Sequence, residues 1–456
     1  MRTCRSLTGG LVALAITAPA VAGAEPRDAD LVAPDNTTLI TDPDEPVRVA
    51  HRTLIVEGGP DAETVTLRER GAQLEVELGG ERFELDRRRF DRVRVDLADG
   101  LDTLVLDGSG ADEAFTVSAA GDRVALSRGR GREPIELDGV EKVRIAAGGG
   151  EDRVMINPLD ATDAFQVDAD LGGGQDRGTV NGTGGDDQIS VSSFSGAVSV
   201  LGPTFVRFEQ PETVDRLTVD GRDGRDALSA STDAMRLTLD GGDGGGTLRG
   251  GPGDDLLLGG GGFDDAVGGG GDDVARLSGS FDRFGWAPGD ASDDVHGGSG
   301  HDSLFFQGED AAEAFELAAD ADGVRFSRDL GGIVMDLDEL EEIDTLAGRG
   351  ADTFAIGDLS DTPVRLVDVN LASGFGAPAG DGHADRVKVA GTDGADDLTL
   401  TGRVVIGGTA TLIGLPWKVN ATHTEGTLDT LAIDLRPGDT LDTAGFAPET
   451  IGLEVK

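Results

Sequence analysis

The stretch from Gly241 to Arg276 decides the fold of this chain, and it reads GGDGGGTLR, GGPGDDLLL, GGGGFDDAV, GGGGDDVAR. These are four consecutive nonapeptides of the form G-G-x-G-x-D-x-U-x, in which U is apolar. A further match, GGSGHDSLF, begins at Gly297. A short, constant period of this kind indicates a stacked repeat architecture. A flexible glycine-rich linker would explain neither the period nor the apolar residues at position eight, which are Leu248, Leu257, Ala266 and Ala275.

The sixth position of these repeats carries an aspartate. Asp255, Asp264 and Asp273 follow one another at intervals of one nonapeptide, and the fifth match places Asp302. The same register continues to Asp282 in LSGSFDRFG, which has lost the glycines, whereas the first repeat has a glycine at this position. Calcium takes six to eight oxygen ligands from carboxylates and carbonyls. Glycine tolerates the positive φ that a tight turn around a cation requires, so the pattern predicts calcium binding.

The nonapeptides resemble those of RTX-type, haemolysin-type calcium-binding proteins. The resemblance implies a parallel β-roll in which the first six positions of each repeat form a turn, the last three form a strand, and two nonapeptides form one coil. It also implies that calcium lies between stacked turns. Turns on one edge are then two nonapeptides apart, so Asp255 would stack on Asp273, as the tightest site, and Asp264 on Asp282. The implied ligands are the carboxylates of Asp255, Asp264, Asp273, Asp282 and Asp302 and the carbonyls of Gly251, Gly253, Gly260, Gly262, Gly269, Gly271, Gly298 and Gly300.

The composition is strongly acidic. The 456 residues include 86 Asp and Glu against 39 Lys and Arg, which gives a formal net charge of -47. Such a chain does not bind nucleic acid or an anionic membrane surface through its net charge, and its natural counter-ions are cations. Runs such as TLVLD at 103–107 and RLTLD at 236–240 alternate as strands do, which favours a folded all-β protein over a disordered one.

The N-terminus has the pattern of a secretory signal. Two arginines precede a short apolar run, and small residues end at Ala24. Cleavage there would remove Cys4, the one cysteine, and leave an exported fold without disulfides. We therefore expect a secreted protein, with the periplasm and the cell surface left open. We expect no transmembrane segment, because no apolar run is long enough to cross a bilayer.

A longer repeat underlies the nonapeptides. Phe115, Ser127-Arg128, Gly150 and Asp152 recur at one constant offset as Phe315, Ser327-Arg328, Gly350 and Asp352, and a short insertion at 372–380 then shifts this offset. The chain is therefore predicted to contain two copies of one strand-rich unit on either side of the roll. The predicted segments are a signal peptide (1–24), a spacer (25–46), an N-terminal β region (47–107), the first copy of the β repeat (108–238), the roll (239–305) and the second copy of the β repeat (306–456).

The sequence shows no familiar catalytic motif. It contains no H-E-x-x-H and no G-x-S-x-G, and its five histidines stand apart. We therefore expect no enzymatic activity and a calcium-stabilised structural or adhesive role with an unknown surface or matrix partner. An extracellular polysaccharide-acting enzyme and a glycan-binding module remain alternatives. Most scattered G-x-D turns are interpreted as plain β-turns. Asp176 with Asp187, and Asp385 with Asp396, are the strongest exceptions.

Overall fold

The computed structural model describes residues 5–6, 45–129, 133–321, 323–405 and 407–456. The predicted signal peptide and spacer fall outside the described residues, apart from Arg5–Ser6 and the last two spacer positions. No helix in the described ranges is both long and apolar enough to cross a membrane.

The regular secondary structure of the described chain is almost entirely β-strand. Two 3-10 helices occur, at Arg87–Arg89 and Leu330–Gly332. The first eighteen strands are β1 (Arg5–Ser6), β2 (Val47–Ala50), β3 (Thr53–Glu57), β4 (Thr64–Arg70), β5 (Gln73–Leu78), β6 (Glu81–Asp86), β7 (Arg92–Asp96), β8 (Thr103–Ser109), β9 (Ala114–Ala120), β10 (Arg123–Arg128), β11 (Ile135–Asp138), β12 (Lys142–Gly148), β13 (Arg153–Ile156), β14 (Gln166–Asp170), β15 (Arg177–Asn181), β16 (Gln188–Phe194), β17 (Ala197–Leu201) and β18 (Phe205–Glu209). The remaining strands are β19 (Arg216–Asp220), β20 (Asp226–Ser231), β21 (Arg236–Asp240), β22 (Gly246–Arg249), β23 (Leu256–Leu258), β24 (Asp264–Val267), β25 (Val274–Arg276), β26 (Gly279–Ser280), β27 (Arg283–Trp286), β28 (Asp294–His296), β29 (Ser299–Gly300), β30 (Ser303–Gln307), β31 (Ala314–Ala319), β32 (Gly323–Arg328), β33 (Ile333–Asp338), β34 (Glu342–Leu346), β35 (Thr353–Ile356), β36 (Leu366–Asn370), β37 (Arg386–Ala390), β38 (Asp397–Val405), β39 (Gly407–Ile413), β40 (Lys418–Thr424), β41 (Thr430–Asp434), β42 (Thr440–Gly445) and β43 (Gly452–Val455).

The chain packs as two compact units. The first unit comprises the described residues up to 179 together with 195–199 and 203–215, and the second comprises the described residues of 180–194, 200–202 and 216–456. The nonapeptide stretch, 239–305, lies within the second unit.

In the second unit, successive strands alternate between two parallel sheets. One sheet stacks β20, β22, β24, β27 and β30, and the other stacks β21, β23, β25 and β28. The position-eight residues Leu248 and Ala266 are paired in the first sheet, and Leu257 and Ala275 in the second, each pair two nonapeptides apart. All four are buried. Full burial of a Leu contributes about 1.5–3 kcal/mol, so the apolar period drives the coiling.

The first unit has the same alternation with longer coils, where a coil is one passage through both sheets. Val65 pairs with Leu104 and Leu104 with Val143 across two long coils of equal length, whereas the coil from Val143 to its partner Val167 is shorter. The longer coils contain antiparallel excursions, such as β4–β5–β6 and β9–β10–β11. The β-solenoid prediction therefore agrees with the repetitive parallel architecture, but the predicted repeat units did not include these hairpins.

Strands of the two predicted copies occupy matching positions. β30, β31 and β32 begin at the same constant offset from β8, β9 and β10 that relates Phe315 to Phe115. Their registers agree as well, because Phe115 pairs with Arg128 and Val154, and Phe315 pairs with Arg328 and Phe354. The internal repeat thus corresponds to duplicated strands and duplicated pairings.

Candidate metal sites in the stacked turns

The aspartate at position six lies at the end of each turn, immediately before or at the start of the next strand, and its carboxylate is buried. Asp264 and Asp302 are 0% exposed and Asp273 is 1% exposed. A buried ionised carboxylate is costly unless donors or cations surround it. The arrangement of these side chains therefore needs a structural reason.

Part of that reason is a ladder of hydrogen bonds between consecutive coils. The backbone N–H of Asp255 donates to Oδ1 of Asp273 at 2.8 Å, and the N–H of Asp264 donates to Oδ1 of Asp282 at 2.8 Å. The N–H of Asp282 donates in turn to Oδ1 of Asp302 at 2.8 Å. The turns therefore stack at the predicted separation of two nonapeptides, and the coil that ends at Asp302 is slightly longer. We call such a series of stacked carboxylates a carboxylate column.

The ladder leaves other carboxylate oxygens without a hydrogen-bond partner. Oδ2 of Asp273, Asp282 and Asp302 is buried and unpartnered, as are Oδ1 of Asp255 and both oxygens of Asp264. Leaving a buried acceptor unpaired costs about 1–3 kcal/mol, and more when it is charged. These oxygens are the atoms that a bound cation would satisfy.

Burial also makes these acids weak. It raises the pKa of Asp273 and of Asp282 to about 7, and that of Asp255 and Asp264 to about 6. Backbone N–H donors oppose the shift, and the charges of neighbouring carboxylates add to it for Asp273 and Asp282. Burial likewise raises the pKa of Asp302. Near neutral pH, protons and cations would therefore compete for the columns.

Most of the turns preceding these aspartates share one backbone conformation. Residues four and two positions before the aspartate have positive φ, as at Gly260 (93°) and Gly262 (95°) before Asp264. The same holds for Gly269, Gly271, Gly298 and Gly300, whereas Gly251 and Gly253 before Asp255 lack it. Ser278 (79°) and Ser280 (123°) adopt it before Asp282 without being glycine. The turn that has lost its glycines thus keeps the same conformation, and the two glycines before Asp255 serve a turn of another shape.

Sequence reasoning missed one member of the column of Asp255 and Asp273. The N–H of Asp273 donates to Oδ1 of Asp293 at 3.1 Å, and Oδ2 of Asp293 is buried and unpartnered. Burial raises the pKa of Asp293 to about 8. The glycine pattern is lost before Asp293. The sequence indicated this residue only through Val295, the apolar residue two positions later, as in the nonapeptides.

Carboxylate columns also run outside the nonapeptides. In the first unit, the N–H of Asp152 donates to Asp176 at 2.7 Å, and the N–H of Asp176 donates to Asp215 at 3.1 Å. In the second unit the bonded pairs are Asp187 with Asp226, Asp352 with Asp385, Asp385 with Asp429, and Asp396 with Asp439. Sequence analysis grouped Asp176 with Asp187, and Asp385 with Asp396. Neither pair is hydrogen-bonded in the structure, because each of the four aspartates is stacked on a different residue. Many G-x-D turns form inter-coil ladders, so the plain-turn interpretation was incomplete.

The described residues contain no group of three or more His, Cys, Asp or Glu side chains arranged to hold a metal ion. A cation between two turns would therefore be held by one or two carboxylates together with backbone carbonyls. That donor set suits calcium, which accepts such mixed oxygen ligands.

No protein-family model and no curated protein sequence matches this chain. The resemblance to RTX-type proteins thus depends on sequence motifs, chiefly the nonapeptides.

Proposed function

We propose that this protein is a secreted calcium-binding repeat protein, with a structural or adhesive role outside the cell. The observation that carries the proposal is the set of buried, unpartnered carboxylate oxygens of Asp264, Asp273, Asp282 and Asp302. They line the stacked turns of the nonapeptide stretch, in a chain whose formal net charge is -47.

The proposed role of calcium is electrostatic. Carboxylates in neighbouring coils lie on strands about 4.8 Å apart, and two unit charges at such a distance repel by a few kcal/mol at an effective dielectric constant of about 20. A divalent cation between the turns would remove this repulsion and satisfy the unpartnered oxygens. Binding free energy would then contribute directly to folding free energy.

Removal of calcium tests this proposal. We expect a chelator to weaken the β-sheet circular dichroism of the full chain and to open residues 239–305 to proteolysis, with recovery on adding calcium. Asp264→Asn combined with Asp282→Asn should lower calcium affinity at least tenfold. Asp243→Asn removes one charge from an exposed position in the same stretch and should change little. Unchanged spectra and proteolysis under chelation would refute the proposal.

A second candidate function is favoured by the outer face of the second copy. Phe305, Asp344, Asp368 and Asn420 occupy one row across neighbouring strands. The ring of Phe375, from the insertion at 372–380, stacks on Phe305 at 5.1 Å. Burial raises the pKa of Asp344 to about 7, and the charges of Glu342 and Asp368 add to that shift. An aromatic platform beside neighbouring carboxylates, of which Asp344 is a weakened acid, is an arrangement that sugar-cleaving enzymes use.

The first copy has basic residues where the second copy has two of these carboxylates. There Lys142 pairs with Asp168 at 2.6 Å and Arg144 with Glu209 at 2.7 Å, whereas the second copy has Glu342 and Asp344 in place of the two basic residues. If the second face acts on glycans, the protein should release reducing ends from a neutral or amino-sugar polysaccharide such as xylan or chitosan. Asp344→Asn should abolish the release and Asp168→Asn should not. No release from either polymer would exclude this activity on them.

A further inference from the structure

We propose a calcium site between the turns 148–152 and 172–176 of the first unit, held by Asp152 and Asp176 and outside the nonapeptide stretch. The inference rests on the proposed calcium-binding function and extends it to a segment that the nonapeptide pattern does not cover. Two independent observations carry it, the backbone of the turns and the state of the two carboxylates.

The two turns have the backbone conformation found in the nonapeptides. φ is positive four and two residues before each aspartate, at Gly148 (105°) and Gly150 (126°) and again at Gly172 (82°) and Gly174 (156°). The turns also approach closely, because a Cβ on Gly172 would lie 1.6 Å from the carbonyl oxygen of Gly148. The equivalent approach within the nonapeptides is 2.0 Å, from Gly260 to the carbonyl oxygen of Gly242.

The carboxylates supply the second observation. Asp152 and Asp176 are each 1% exposed, and Oδ2 of both is buried without a hydrogen-bond partner. Their other oxygens are occupied, since Oδ1 of Asp152 accepts from the N–H of Glu113 and Oδ1 of Asp176 accepts from the N–H of Asp152, both at 2.7 Å. Two unsatisfied, buried, anionic oxygens in adjacent coils call for a cation. Oxygen donors of this kind favour calcium over softer metals.

Among the residues that the structure describes, the other columns outside the nonapeptides do not combine these features in two adjacent turns. Asp352 follows residues of positive φ at Gly348 and Gly350, but its stacked neighbour Asp385 does not follow such a pair. Asp226 follows Arg222 and Gly224 with positive φ, but the turn before its neighbour Asp187 lacks them. The short coil between Asp152 and Asp176 is therefore the place where a site like those of the nonapeptides is complete.

Counting bound calcium in the full chain by equilibrium dialysis tests the inference. Asp152→Asn combined with Asp176→Asn should lose about one ion per molecule. Asp112→Asn, at an exposed acceptor for the N–H of Glu151, should lose none. Asp264→Asn combined with Asp282→Asn should lose ions from the nonapeptides and keep this one.

The outcomes separate the two proposals. If only the nonapeptide variant loses calcium, the inference is overturned and the proposed function stands. If the wild-type chain binds no calcium, both fail. If a variant does not fold, amide hydrogen exchange of the wild-type protein still tests the inference. Added calcium should slow the exchange of the amides of 148–181 as well as those of 239–305. Protection confined to 239–305 would also overturn the inference.

Discussion

At the scale of the residue, the turn before Asp282 places two serines where the neighbouring turns have glycine. Ser278 and Ser280 have positive φ, at 79° and 123°. A side chain with a Cβ rarely adopts this conformation, which glycine adopts freely.

Those serines lead to a stability prediction. A left-handed conformation costs a non-glycine residue about 1–2 kcal/mol, and the greater entropy of glycine in the unfolded chain offsets part of the gain from replacing it. On that balance we expect Ser280→Gly to raise the free energy of unfolding by about 0.5–1 kcal/mol, measured by urea denaturation in saturating calcium.

Ser192→Gly is the matched control. Ser192 is exposed in strand β16 and does not have positive φ, so the same substitution there should destabilise the protein by about 0.5–1 kcal/mol. A Ser280→Gly variant destabilised like the control would show that the turn does not strain this residue.

The aspartate at position six and the apolar residue at position eight were predictable, because both follow from spacing alone. The carboxylates of Asp255, Asp264, Asp273 and Asp282 stack as the period predicted. The backbone conformation was harder to predict. Glycine in the sequence predicts positive φ, but nothing in the sequence indicated that Ser278 and Ser280 would adopt it as well.

At the scale of the element, the sequence predicted the strands and the duplication better than the path between them. The long internal repeat corresponds to matching strands such as β9 and β31. The hairpins were not predictable, because QLEVEL in β5 and ERFELD in β6 alternate in the same way as strands of the parallel sheets. Alternation reports that one face is buried, and it does not distinguish an antiparallel neighbour from a parallel one.

At the scale of the whole molecule, the buried acids predict how stability depends on pH. The pKa values of Asp255, Asp273 and Asp293 are raised to about 6, 7 and 8. Between about pH 4 and pH 8 the folded protein therefore binds more protons than the unfolded chain. Stability from these groups is present at low pH and is lost as the pH rises.

For the metal-free protein we expect the melting temperature to fall between pH 5.5 and pH 8.5. Calcium should reduce this fall, because the cation takes over the neutralisation that protons provide at lower pH. Thermal melts with chelator and with millimolar calcium, at constant ionic strength, measure both slopes. A metal-free protein that gains stability over this interval would contradict the burial of ionisable carboxylates described above.

The carboxylate columns also bear on how the chain reaches its fold. Their hydrogen bonds in the second unit join positions that are close in the sequence, from 18 apart for Asp255 with Asp273 to 44 apart for Asp385 with Asp429. The entropic cost of closing a loop rises only slowly with its length, so closing the longest of these loops costs little more than closing the shortest. Solenoid repeats also contact mainly their neighbours. Folding of this unit can therefore nucleate at any coil and propagate to the neighbouring coils in either direction.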